Sequence, residues 1–120
     1  MIASANAVTG GSAPPAIRMG VEPAPIIALD GQEITVWRWP HRRGRPTLHW
    51  AHATGFHGRT YSPVLDTLAE DFNVLAWDMR GHGQSDYPDD PAAYSEDLTI
   101  GDMAAILDAV GAINAVIGGL

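Results

Sequence analysis

The sequence predicts an α/β protein: a mostly parallel sheet with helical crossovers and an antiparallel hairpin at its N-terminal end. Three observations lead there. Runs rich in β-branched and aromatic residues alternate with stretches of helical period. The gaps between the later runs exceed the dozen or so residues that a parallel crossover needs. The first two runs are separated only by a turn built on Asp30-Gly31, a dipeptide suited to a tight hairpin with positive φ.

Each element has its own signal. Residues 1–25 are rich in Ala, Gly, Ser and Pro, without helical or strand period, and read either as a disordered leader or as upstream sequence from a misassigned start codon. Order is expected from Ile26, giving a second unit over residues 26–120. Ile26 to Leu29 and Glu33 to Trp39 form the hairpin strands, and Pro40 with an Arg-rich turn ends the second. Thr47 to His52 is the next strand. A helix follows, with Ser62 expected as N-cap and Pro63 in its first turn. Phe72 to Trp77 reads as a buried strand. Thr99 and Asp102 have capping-box spacing for a second helix. Its Ile100, Met103, Ala104, Leu107 and Val110 are expected to face the core, with Gly111 as the stop. Ile113 to Ile117 is a third strand of the parallel set.

Composition excludes several functions. The 120 residues hold 46% hydrophobic and 18% charged residues, ordinary for a soluble domain. A formal net charge of −7 disfavours nucleic acid as a partner, which requires a basic face. The basic cluster of His41, Arg42, Arg43 and Arg45 reads as a solvated turn. Without cysteine there is neither a disulfide framework nor a thiolate metal site. No apolar run approaches the roughly 20 residues of a membrane span, and no secretory signal is evident, so a cytoplasmic location is the default expectation.

The five histidines invite a metal reading. His49 and His52, three apart on a strand, point to opposite faces, and no His-Glu-x-x-His helix is present, so no metal is expected. Trp37, Trp39, Trp50 and Trp77 sit in strand segments and are expected in the core or on a sheet face.

Two segments fall just past the carboxyl ends of successive strands, where open α/β sheets place their ligand sites. The first is His52-Ala53-Thr54-Gly55-Phe56-His57-Gly58, and the second runs from Asp78 to Asp86. With Asp78-x-Arg80-Gly81-x-Gly83-x-Ser85, the helix from Tyr94-Ser95 through Asp102 and Leu107-Asp108 to Gly111, and the strand Ala115 to Leu120, the order resembles the α/β-hydrolase family over residues 26–120. Gly119-Leu120 matches the first two residues of that family's Gly-x-Ser-x-Gly nucleophile elbow.

The resemblance implies a partial α/β-hydrolase fold and roles for specific residues. Thr54 matches the position whose backbone N–H supplies one oxyanion-hole donor, although Ala53 stands where glycine is usual. Phe56 and His57 would line the substrate pocket. His52, Asp78, Arg80, Gly81, Gly83, Ser85 and Gly119 would be structural, with Asp78 and Arg80 bracing their loop through charge-assisted hydrogen bonds. The bland alternatives are a strand-ending turn at His52–Gly55 and a metal or phosphate loop at Asp78–Ser85.

The implied activity is that of a serine carboxylesterase or lipase-like enzyme on a small-molecule ester, with no cofactor. The nucleophile, acid and histidine would all follow residue 120, so this polypeptide is expected to read as a fragment, inactive alone and marginally stable. Two other readings remain open. An Asp nucleophile would give a haloalkane dehalogenase or epoxide hydrolase, which Gly55 disfavours because that subgroup often carries proline there. A non-catalytic homologue would act as an interaction module. Substrate and oligomeric state are not legible.

Overall fold

A computed structural model of the chain describes residues 20–112 and 115–119. Its five strands are β1 (Glu22–Ile27), β2 (Glu33–Arg38), β3 (Thr47–Ala51), β4 (Asn73–Trp77) and β5 (Val116–Gly119). The helices are α1 (Ser62–Leu68) and α2 (Glu96–Ala109). The strands form one sheet in the order β1-β2-β4-β3-β5. β3 is parallel to β4 and β5, whereas β1–β2 and β2–β4 are antiparallel. The predicted class holds: three parallel strands, with the antiparallel hairpin on one side.

Alternation of side chains gives each face of this sheet its own core. Trp37, Leu48, Val74 and Ala76 pack with Trp39, Val21 and Leu65 of α1. Ile34, Val36, Leu75 and Trp77 pack with Ile106 of α2. Every residue of β4 is buried, as expected of a strand covered on both faces. Trp37, Trp39 and Trp77 lie in the core, while Trp50 is half-buried against Tyr61.

Several boundaries move from those expected. β1 begins at Glu22 rather than Ile26, although Pro23 and Pro25 lie within it. An edge strand tolerates proline because half of its backbone donors face no neighbour. The hairpin closes through Gly31 N–H to the Ala28 carbonyl (2.9 Å) and Ala28 N–H to the Gln32 carbonyl (2.8 Å). The expected leader over residues 1–25 lies, up to residue 19, outside the described residues. So do Ile113, where the last strand was expected to start, and Leu120.

Both expected helix caps are displaced by about one turn or less. A 3-10 turn, Gly58–Tyr61, runs directly into α1, so Tyr61 is the N-cap and Ser62 is already helical. The Ser62 hydroxyl instead donates to the Arg59 carbonyl and accepts from Arg59 Nε. α2 starts one turn before Thr99, because the Ser95 hydroxyl accepts from Leu98 N–H and Glu96 and Asp97 occupy the first turn.

Asp102 is therefore no cap; it is buried at 2% exposure. Burying it rotates the inward face of α2 to Asp102, Met103, Ile106 and Val110, leaving Ile100 and Ala104 exposed where core contacts were expected.

Candidate active site

The loops after β3 and β4 lie side by side at the carboxyl ends of the parallel strands, and their geometry differs sharply. Asp78 follows β4 directly, its side chain buried at 1% exposure. It accepts from Gly58 N–H (2.7 Å), Gln84 N–H (2.9 Å) and Trp37 Nε1–H (3.2 Å). One acidic group thus ties both loops to β2, and each charge-assisted bond is stronger than a neutral one.

Arg80 does the same on the other side. Its Nε and Nη2 donate to both oxygens of Asp102 (2.8 and 2.7 Å). Nη1 and Nη2 donate to both oxygens of Asp30 (2.7 and 3.1 Å), and Nη1 also reaches the Ala93 carbonyl (2.9 Å). All five guanidinium donors are used, which is the complete capacity of the group. Asp102 first, then Asp30, hold the guanidinium above its ordinary pKa. The Arg80 hydrogen bond in turn holds Asp30 below the usual carboxylate value.

Ser85 completes the frame. Its hydroxyl donates to the Asp78 carbonyl and accepts from Thr35 N–H (2.8 Å), while Asp86 accepts from Glu33 N–H (2.8 Å). Gly81 lies against the Tyr94 ring, where a Cβ would sit 2.6 Å from Cε1, and Gly83 lies against Asp78. The loop from Asp78 to Asp86 is a cross-linked frame joining hairpin, sheet and α2. Apart from Gln84 N–H on Asp78, the side-chain partners of Asp78 and Arg80 lie outside the loop's own sequence.

The loop after β3 presents a backbone donor. Thr54 is exposed, and its N–H donates to no group among the described residues. Its neighbours are held: Phe56 N–H donates to the Ala53 carbonyl (3.0 Å), and Gly55 N–H donates to His82 Nε2 (3.1 Å). His52 is buried beneath, with Nδ1 on the Ala53 carbonyl (2.8 Å) and Nε2 accepting from Met79 N–H (2.9 Å). Burial, the leading cause, pushes the His52 pKa down. Phe56 is half-exposed and stands edge-on to Tyr61, and exposed His57 donates its N–H to Thr60 Oγ1. Gly119 ends β5 opposite Ala51, so close that a Cβ would lie 2.7 Å from the Ala51 carbonyl oxygen.

Among the described residues, no group of three or more His, Asp or Glu side chains is arranged to hold a metal ion, and no helix is long and apolar enough to cross a membrane. A cavity of about 460 Å³ beside Trp39, Arg42, Arg45 and Glu70 includes no residue of either loop.

No protein-family model matches the sequence. The mouse (Mus musculus) protein "Epoxide hydrolase 4" is 32% identical over 69 residues, 58% of this chain and 19% of that protein. A solved structure of novel epoxide hydrolases of the α/β-hydrolase superfamily, from metagenomes of hot environments, superposes at TM-score 0.75 with 27% identity, covering 84% of this chain and 34% of that one. The enol-lactonase from Burkholderia xenovorans LB400 superposes at TM-score 0.72 with 26% identity, over 81% of this chain and 36% of that one. The chain belongs to the α/β-hydrolase superfamily. It spans about a third of the length of these solved structures.

Within this α/β-hydrolase unit, the residues singled out from sequence fall into two groups. His52, Asp78, Arg80, Gly81, Gly83 and Ser85 converge on the frame, while Thr54, Phe56 and His57 lie on the exposed face of the neighbouring loop. Four participants were not legible. Asp30 was read only as a turn residue, and Asp102 only as a cap and a residue of the helix that carries the resemblance, yet both bind Arg80. Trp37 and His82 carried no signal beyond residue type. An unmatched arginine in a motif was the one available hint that carboxylates must arrive from elsewhere.

Proposed function

We propose that Ala53–Gly55 forms one side of an oxyanion hole, with Thr54 N–H as the donor, in a hydrolase of small-molecule esters. The observation that carries this is a backbone N–H of an exposed residue, unengaged among the described residues, on a loop held at both neighbours. Such a donor stabilises developing negative charge without reorganising during reaction. The register Ala51 to Gly119 supports it, because it brings the end of β5 level with the start of that loop. A nucleophile carried past β5 would then attack a carbonyl whose oxygen lies toward Thr54. Phe56 and His57 would form part of the pocket wall, and the chemistry calls for no cofactor.

A second reading has its own support in the likeness to epoxide hydrolases. There an aspartate would open the epoxide, and the resulting enzyme ester would be hydrolysed through a tetrahedral oxyanion. Thr54 would serve that second step equally. Reading the coding DNA around codon 120 separates serine from aspartate. The complete gene product is then assayed with p-nitrophenyl acetate and styrene oxide. Removing one donor with Thr54→Pro is expected to lower kcat by about 10²–10³. Turnover of the epoxide alone selects the second reading; turnover of neither rejects both and favours a binding module.

A further inference from the structure

The loop Ala53–Gly55 is suspended between two imidazole rings whose centroids are 4.9 Å apart. His52 holds its first residue and His82 its last. The partners fix both tautomers. Met79 N–H and Gly55 N–H are donors, so Nε2 of each ring must be an unprotonated acceptor. The Ala53 and Arg80 carbonyls are acceptors, so each Nδ1 carries the proton (2.8 and 3.0 Å).

His82 is itself held by the residue that the frame fixes most firmly, since its Nδ1–H donates to the backbone of Arg80. A continuous path therefore runs from the buried guanidinium through one imidazole to the amide beside Thr54. Among the described residues Thr54 N–H makes no hydrogen bond of its own; it shares a peptide plane with the Ala53 carbonyl, which accepts from His52 Nδ1 and Phe56 N–H.

We propose that His82 is a positioning residue: through its Nε2 it holds Gly55 N–H and, together with His52 on the Ala53 carbonyl, fixes the two peptide planes that flank Thr54. Its significance for catalysis rests on the oxyanion reading of Thr54; the positioning itself does not. A ring that holds an amide this way must keep Nε2 free of a proton, and its replacement must loosen the loop without loosening the sheet.

Amide exchange and imidazole nitrogen shifts of the full 120-residue chain test this. At neutral pH the His82 shifts are expected to report Nδ1–H and bare Nε2. His82→Leu is expected to speed Gly55 exchange about tenfold or more, as for loss of one protecting hydrogen bond, with Leu75 and Ala76 unchanged. His82→Gln, which offers an acceptor oxygen near the same place, is expected to restore most of the protection. A proton on Nε2, or equal Gly55 exchange in His82→Leu and wild type, overturns the proposal. Should His82→Leu also release Leu75 and Ala76, His82→Gln decides: Gly55 protection retained supports the proposal, and protection lost with the sheet intact overturns it. Unchanged ester and epoxide turnover in Thr54→Pro would reject the oxyanion reading while leaving the Gly55 result standing.

Discussion

The loops after β3 and β4 start level in the sheet and end in opposite conditions. The β4 loop buries Asp78, Arg80 and Ser85 and satisfies their polar groups with partners from β2, the hairpin turn and α2. The β3 loop leaves Thr54, Gly55, Phe56 and His57 exposed. A backbone donor available to a ligand cannot also be used to hold its own loop. The holding must be done by neighbours, and those neighbours must be rigid. The contrast teaches that the charged motif matters here as a support, with the chemistry proposed one loop away.

The largest expected effect comes from breaking the frame at Arg80. Arg80→Leu leaves Asp102 buried at 2% exposure without its partner, and removal of one member of a buried pair costs about 3–5 kcal/mol. Urea unfolding followed by tryptophan fluorescence measures it; a cost under about 1 kcal/mol would contradict the frame.

Two glycines sharpen the comparison further. Gly83 and Gly55 both have positive φ, +51° and +94°. A Cβ on Gly83 would sit 2.3 Å from Asp78 Oδ2, whereas on Gly55 it would meet nothing within 4 Å. Gly83→Ala is expected to cost about 2–3 kcal/mol, from strain plus displacement of the carboxylate. Gly55→Ala carries the strain alone, about 1 kcal/mol. Equal costs in the same unfolding assay would show that crowding by Asp78 does not separate the loops.

The smallest effect is pH-dependent. His49 is fully buried beside Trp77, its ring nitrogens unpaired among the described residues, and burial lowers its pKa below the ordinary 6.5. The unfolded chain therefore takes up the proton first as pH falls. Stability is fully present above about 6.5 and declines below it, by under about 1 kcal/mol for one histidine between pH 7.5 and 6. His52 adds to the same trend because its pKa is also lowered. His49→Leu should make the profile shallower; an unchanged slope would assign the effect to other groups.

Much of this was legible before any coordinates. The hairpin, the parallel strands and the Asp78-to-Ser85 motif depend on residue type and near-neighbour spacing, which a sequence displays directly. The α2 boundary was misread because Thr99 and Asp102 satisfy a local capping rule that Ser95 satisfies one turn earlier. Local rules rank caps; they do not know that a buried arginine 22 residues away requires Asp102.

Sequence by itself determined the fold class, the order of the strands along the chain, and which two loops would stand at the carboxyl ends of the sheet. Tertiary structure decided which charges meet: Asp30 with Arg80 across 50 residues, and His82 with Gly55 across 27. The physical reason is range. Periodicity and turn chemistry act over a few residues, whereas a buried charge takes its partners from wherever the sheet order brings the chain back.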